Sequence, residues 1–195
     1  MPMDEPETGR ADKTSVEQGL AYHAFLERLD FSKLFDSNGV YLDEPALRAL
    51  IAELCEGYKR TLDCDWVLLL DEEKLFRILS SPIFATLQGK MLYKEQKFLV
   101  SLPIKDTYAK YAEDAFGLDG EEMIFQGAID LLAVDEDGAW VIDYKDSIRD
   151  ADSLQSHYAP QLELYRMTVA KIMKLPIEKV RCIIVNLHLG FQVEV

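Results

Sequence analysis

The chain has 195 residues, 49% of them hydrophobic, which is enough to bury one sizeable core and predicts a single domain. Its 35 acidic and 21 basic residues leave a net charge of −14, which argues against a protein that grips nucleic acid through a basic face. There is no apolar run long enough to cross a bilayer and no Gly-rich phosphate loop ending in Lys-Ser or Lys-Thr, so neither a membrane span nor an ATPase is expected.

Residues 1–13 are polar and acidic rather than signal-like, and read as a disordered tail on a cytoplasmic protein whose structured part is 14–195. Thr14-Ser15-Val16-Glu17 reads as a capping box with Thr14 as N-cap, opening a helix to about residue 29. Gly19 and His23 share a face of that helix, and Val16, Leu20 and Leu26 lie along roughly the same stripe, so His23 is expected to look inward. A satisfied core histidine is the plain reading, but a mid-helix Gly costs about 1 kcal/mol against Ala unless something must approach the backbone closely. Further helices are expected over 44–58 after Asp43, over 72–79, and briefly up to residue 88 after the break at Ser81-Pro82. A strand follows over 91–102. Glu95 on it reads as an outward, solvated side chain, with approach to the acids described next as the alternative. Residues 107–122 form an acidic helix or loop insertion.

Ile124 to Val134 and Ala139 to Tyr144 are apolar and β-prone, and Asp135-Glu136-Asp137-Gly138 between them supplies a hairpin turn. Asp130 on the first strand and Asp143 and Lys145 on the second then meet at one end of a small sheet. Asp143 and Lys145, two apart, share a face, and Tyr144 points away. Two carboxylates beside an amine suit a site that holds a hard divalent ion and steadies charge in phosphoryl transfer. Beyond them, Tyr158, Gln161 and Tyr165 recur at steps of three and four on one face of a helix reaching about residue 174, in which Pro160 marks either a kink or a helical first turn. Strands at 181–187 and 191–195 close the chain. Strands alternating with helices after a helical front make the fold α/β, a sandwich.

Taken in order, Gly19 to His23, Gly127 to Asp130, Asp143-Tyr144-Lys145 and Gln161 to Tyr165 resemble the four signatures of the RecB-type nucleases of the PD-(D/E)XK superfamily. The segments 21–27, 125–132 and 141–145 resemble in particular the AddA group, the nuclease domains at the C-terminal end of AddA helicase-nuclease chains. The resemblance implies a restriction-endonuclease-like core, a central mixed sheet flanked by helices. It implies His23, Asp130 and Asp143 as side-chain metal ligands, the Tyr144 carbonyl as a further donor, Lys145 as the residue that orients water or stabilises phosphate charge, and Gln161 and Tyr165 as supporting or DNA-touching residues. Such ligation suits Mg²⁺, with Mn²⁺ as a substitute. Asp146 departs from the Thr that relatives commonly carry.

Several members bind an iron-sulfur cluster through four cysteines. This chain has only Cys55, Cys64 and Cys182, none just before the Gly19 helix or clustered after Tyr165, so no cluster is expected and the thiols read as buried residues in a reducing compartment. The resemblance further implies a DNA exonuclease module in double-strand break repair and recombination, fed single-stranded DNA by the helicase portion of the same polypeptide and partnered by an AddB-like subunit. The acidic balance fits a tethered module, because local concentration then replaces intrinsic affinity. Two alternatives are a catalytically inactive nuclease fold that guides DNA and an acidic interaction protein. The four motif residues kept together speak against the first, and the apolar strand context of the acids against the second.

Overall fold

A computed structural model describes residues 13–62, 64–107 and 120–195. The expected tail and most of the 107–122 insertion lie outside these residues. The chain divides into two compact units. One comprises the chain up to Gln88 with Lys145–Ile148 and Asn186–Phe191; the other comprises Gly89–Tyr144, Arg149–Val185 and Gln192–Val195.

The first unit is helical: α1 (Lys13–Arg28), α2 (Glu44–Thr61), α3 (Glu72–Leu79) and the single turn α4 (Pro82–Ala85). Side-chain caps start α2 and α3, where Asp43 accepts from the Ala46 N–H (3.0 Å) and Asp71 from the Lys74 N–H (2.8 Å). Each satisfies a donor the helix leaves open and contributes about 0.5–2 kcal/mol. Helical spacing selects the buried stripes: Tyr22, Phe25 and Leu26 on α1, Leu47, Ile51 and Cys55 on α2, Leu75, Ile78 and Leu79 on α3. Each large apolar side chain so buried contributes roughly 1.5–3 kcal/mol of transfer free energy.

Two expectations for α1 need correction. The helix already includes Lys13 and Thr14, so Thr14 is not its N-cap. The apolar stripe is also rotated from the one expected: Val16 is 56% and Leu20 64% exposed, while His23, on their side of the helix, is half-buried. Tyr22 and Phe25, nearly filling the core-facing side, win that side because they bury more apolar area.

The second unit is a five-stranded sheet in the order β1 (Met91–Pro103), β2 (Glu122–Val134), β3 (Ala139–Lys145), β4 (Val180–Asn186), β5 (Phe191–Glu194). Helix α5 (Ile104–Thr107) follows β1, and α6 (Ala151–Met173) carries the chain from β3 to β4, the crossover length that parallel neighbours require. β1 pairs antiparallel with β2 from Met91↔Val134 to Pro103↔Glu122, and β2 with β3 from Val134↔Ala139 to Leu131↔Ile142. In the hairpin turn Asp135 Oδ1 accepts from the Asp137 N–H (2.8 Å), and its carboxylate is ion-paired with Lys90, whose ammonium sits 3.5 Å from the Trp140 ring centroid. Val141, Ile142, Ile184, Val185, Leu154 and Leu162 are fully buried around the sheet centre.

Asp150 caps α6 by accepting from the Ser153 N–H (2.9 Å), which places Pro160 mid-helix and not in a first turn. Pro160 cannot donate to the Ser156 carbonyl, and both residues are exposed. Among the described residues no helix is long and apolar enough to cross a membrane.

Candidate active site

Strand register aligns the acids of the second unit. The skipped position between Lys94↔Leu131 and Gln96↔Ile129 sets Glu95 beside Asp130, while the β2–β3 ladder ends at Leu131↔Ile142, one residue before Asp130 and Asp143. Glu95 and Asp130 therefore form an acid row across β1 and β2, and Asp143 lies on β3 one residue past the end of its ladder with β2. Asp143 is 2% exposed and Asp130 half-buried. Carboxylate oxygens of Glu95 and Asp130 lie within 4.8 Å of one another, and the Tyr144 N–H donates to Asp130 Oδ2 at 2.6 Å. Like charges side by side in a sheet repel, so Glu95 and Asp130 together are a candidate site for a cation.

The backbone and a neighbouring phenol both register this concentration of charge. Glu95 has φ +48°, a left-handed conformation inside a strand, where the ladder between β1 and β2 skips one pair. Holding a non-glycine residue so costs roughly 1–3 kcal/mol, and strain of this kind gathers at functional sites. The Tyr144 hydroxyl is held well above the ordinary phenol range, first by complete burial and then by the charges of Asp130, Glu95 and Asp143. The outward, solvated reading of Glu95 is thus replaced: the positive φ brings a partly exposed carboxylate up to Asp130. A run of Lys94, Glu95, Gln96 and Lys97 in the middle of an otherwise apolar strand is the sequence signal for it.

The supporting residues are linked on the same sheet. The Gln161 amide donates to the Tyr165 hydroxyl (2.8 Å), and the Tyr165 ring meets Phe98 edge-on with centroids 5.6 Å apart. Phe98 in turn lies over Gly127, where a Cβ would come within 2.8 Å of the ring. Gly127 is therefore the floor for an aromatic column that ends at Gln161.

In the helical unit, Gly19 and His23 are one turn apart on α1, and Lys145 is the half-buried residue that ends β3. The carbonyl of Lys145 accepts from the Leu187 N–H (2.8 Å). Asp146 lies against Gly19, whose missing side chain leaves room for it. Cys55 and Cys182 are buried and Cys64 is exposed; all three are free thiols.

Residues 4–193 match the PD-(D/E)XK nuclease superfamily. The chain belongs to that superfamily. Its curated relatives are named as the A-type subunits of ATP-dependent helicase/nucleases. The one from Heliobacterium modesticaldum is 30% identical over 179 residues, covering 87% of this chain and 12% of that protein. Those from Carboxydothermus hydrogenoformans and Oceanobacillus iheyensis are 30% and 27% identical, covering 87% and 84% of this chain and 14% and 13% of their own lengths. The PD-(D/E)XK chain thus spans about an eighth of the proteins it resembles, and within it the match takes in both the helical unit and the sheet with its acid row.

Proposed function

We propose that this PD-(D/E)XK domain is a divalent-cation-dependent deoxyribonuclease that cuts single strands supplied by a helicase, within double-strand break repair and recombination. The observation that carries the reading is the pair Glu95 and Asp130, set side by side across β1 and β2 with carboxylate oxygens within 4.8 Å and a backbone N–H fixing Asp130. Oxygen donors so arranged fit Mg²⁺ or Mn²⁺ in number and hardness. Asp130 and Asp143, together with the Tyr144 carbonyl and His23, are the ligand set proposed, with Glu95 added to it. Bound there, a divalent cation supplies charge neutralisation at the scissile phosphate and lowers the pKa of water.

The chain's own residues then have distinct tasks. Tyr144 holds Asp130 in one orientation through its N–H and keeps its phenol neutral. Lys145 orients the attacking water or stabilises charge on the phosphate as the water oxygen bonds to phosphorus and the bond to the leaving deoxyribose oxygen breaks. Gln161, placed by Tyr165 and Phe98, braces this end of the sheet or contacts the DNA backbone.

The net charge of −14 makes unaided association with DNA weak and salt-sensitive, and the helicase/nuclease names of the relatives support delivery by an attached motor, alongside an AddB-like partner. The test is degradation of end-labelled single-stranded DNA in Mg²⁺, by the chain alone and joined to its motor. Cleavage that EDTA abolishes is expected; a chain inert in both settings, while correctly folded, would leave the inactive-scaffold reading standing.

A further inference from the structure

Next to Lys145 the helical unit contains a charged cluster that the proposed chemistry does not use. Lys74 on α3 is 7% exposed, in a stretch whose neighbours Leu75, Ile78 and Leu79 are core residues. Its ammonium lies 3.6 Å from Asp146 Oδ1 and 4.4 Å from the centroid of the buried Tyr22 ring. His188 Nδ1 stands 3.4 Å from the same oxygen. Burying an ammonium is unfavourable unless a counter-charge and good geometry offset the lost hydration, so a lysine at this depth is tied to its partner. The partner is Asp146.

Asp146 is also confined from behind. A Cβ on Gly19 would come within 3.0 Å of its Oδ2 and 3.1 Å of its own Cβ, a contact that rotation of the carboxylate alone cannot relieve. The backbone on each side of it is tied as well: Leu187 N–H donates to the Lys145 carbonyl (2.8 Å), and Asn186 Nδ2 donates to the Ser147 carbonyl (2.9 Å). Residue 146 is thus held by a salt link in front, a helix behind and backbone bonds to both flanking residues.

We propose that Lys74 is a positioning residue for Lys145: by holding Asp146 against Gly19 it fixes the last peptide of β3, and with it the direction in which Lys145 leaves the strand. The inference rests on the nuclease reading for what Lys145 does, and on the geometry of this cluster for how it is held. Asp146 and Lys74 are a coupled pair, so a neutral residue at 146 should be tolerated only when Lys74 changes with it.

Lys74→Met, Asp146→Thr and the double variant of the full chain test it, with two readouts. Hydrogen exchange of the 145–148 amides reports the latch without any chemistry, and cleavage of labelled single-stranded DNA in Mg²⁺ reports kcat and KM. Each single variant should raise local exchange and lower kcat by roughly tenfold with KM unchanged, and the double variant should recover most of both, as coupled neighbours do. Asp146→Asn, which keeps the shape and removes the charge, carries the same test if Lys74→Met does not fold. Unchanged exchange in the single variants would overturn the latch. Raised exchange with parental kcat would leave a structural tie and overturn the positioning role. A parent that does not cleave, beside coupled exchange, would overturn the nuclease reading and the positioning role while the latch stood.

Discussion

Replacing Glu95 should separate stability from activity. Its carboxylate and that of Asp130 approach within 4.8 Å. Two unit charges at that distance repel by about 1 kcal/mol in water and about 3.5 kcal/mol at an effective dielectric constant of 20, and partial exposure of Glu95 puts the cost near the lower figure. Glu95→Gln removes this repulsion while keeping the shape, and should raise stability by about 1 kcal/mol in EDTA, equivalent to roughly 2–4 °C in Tm for a chain of this length. Glu95→Gly also relieves the φ of +48°. The left-handed conformation costs about 1–2 kcal/mol and glycine returns about 0.5–1 kcal/mol of that as entropy of the unfolded chain, so a further gain of about 0–1.5 kcal/mol is expected. In Mn²⁺ at about 100 times its Kd the parent gains about 2.7 kcal/mol, and variants that bind the ion less well gain less, so the order of stabilities should narrow or reverse. Calorimetric melting in EDTA and in Mn²⁺, with cleavage rates on the same preparations, makes the comparison. A Glu95→Gln variant less stable than the parent in EDTA would refute the reasoning, because repulsion within the row would then not be the dominant effect at that position.

Gly127→Ala should strain the Phe98 ring, costing about 1–3 kcal/mol as overpacking does, and Phe98→Leu in the same chain should restore part of it; urea melts of the two variants check the pair. Lys145→Ala should retain Mn²⁺ affinity while cleavage falls by on the order of 10²-fold, the loss expected of a donor that stabilises transition-state charge; parental cleavage would end the role given to that lysine. Burial pushes the Cys55 thiol up to about 11 and the Cys182 thiol up to about 12, so one thiol, Cys64, should react rapidly with a thiol reagent near neutral pH and all three after denaturation.

Most of the framework is legible in the sequence because periodicity and caps act locally. Asp43, the Ser81-Pro82 break and the Asp135 to Gly138 turn each mark a boundary through a backbone group they satisfy or remove, and the structure places boundaries there. The candidate site is half legible: the hairpin puts Asp130 and Asp143 on neighbouring strands, but Glu95 enters only through the pairing of β1 with β2 and through a backbone conformation that no local rule favours for glutamate. The rotated face of α1 escapes the sequence for a related reason. Val16 and Leu20 are as apolar as the residues that won, and only tertiary packing around Tyr22 and Phe25 decides which stripe is buried. Gly19 is legible as a site of close approach, but what approaches it, Asp146, comes from a segment more than a hundred residues later.

The most direct test of the account is a calorimetric titration of Mn²⁺ into the parent chain and into Asp130→Ala, with single-stranded DNA cleavage measured on both. Asp130 takes the Tyr144 N–H and stands beside Glu95, so its removal should abolish measurable Mn²⁺ binding and cleavage together. Mn²⁺ binding and cleavage that both survive in Asp130→Ala, in a folded protein, would contradict the assignment of the acid row as the metal-dependent centre.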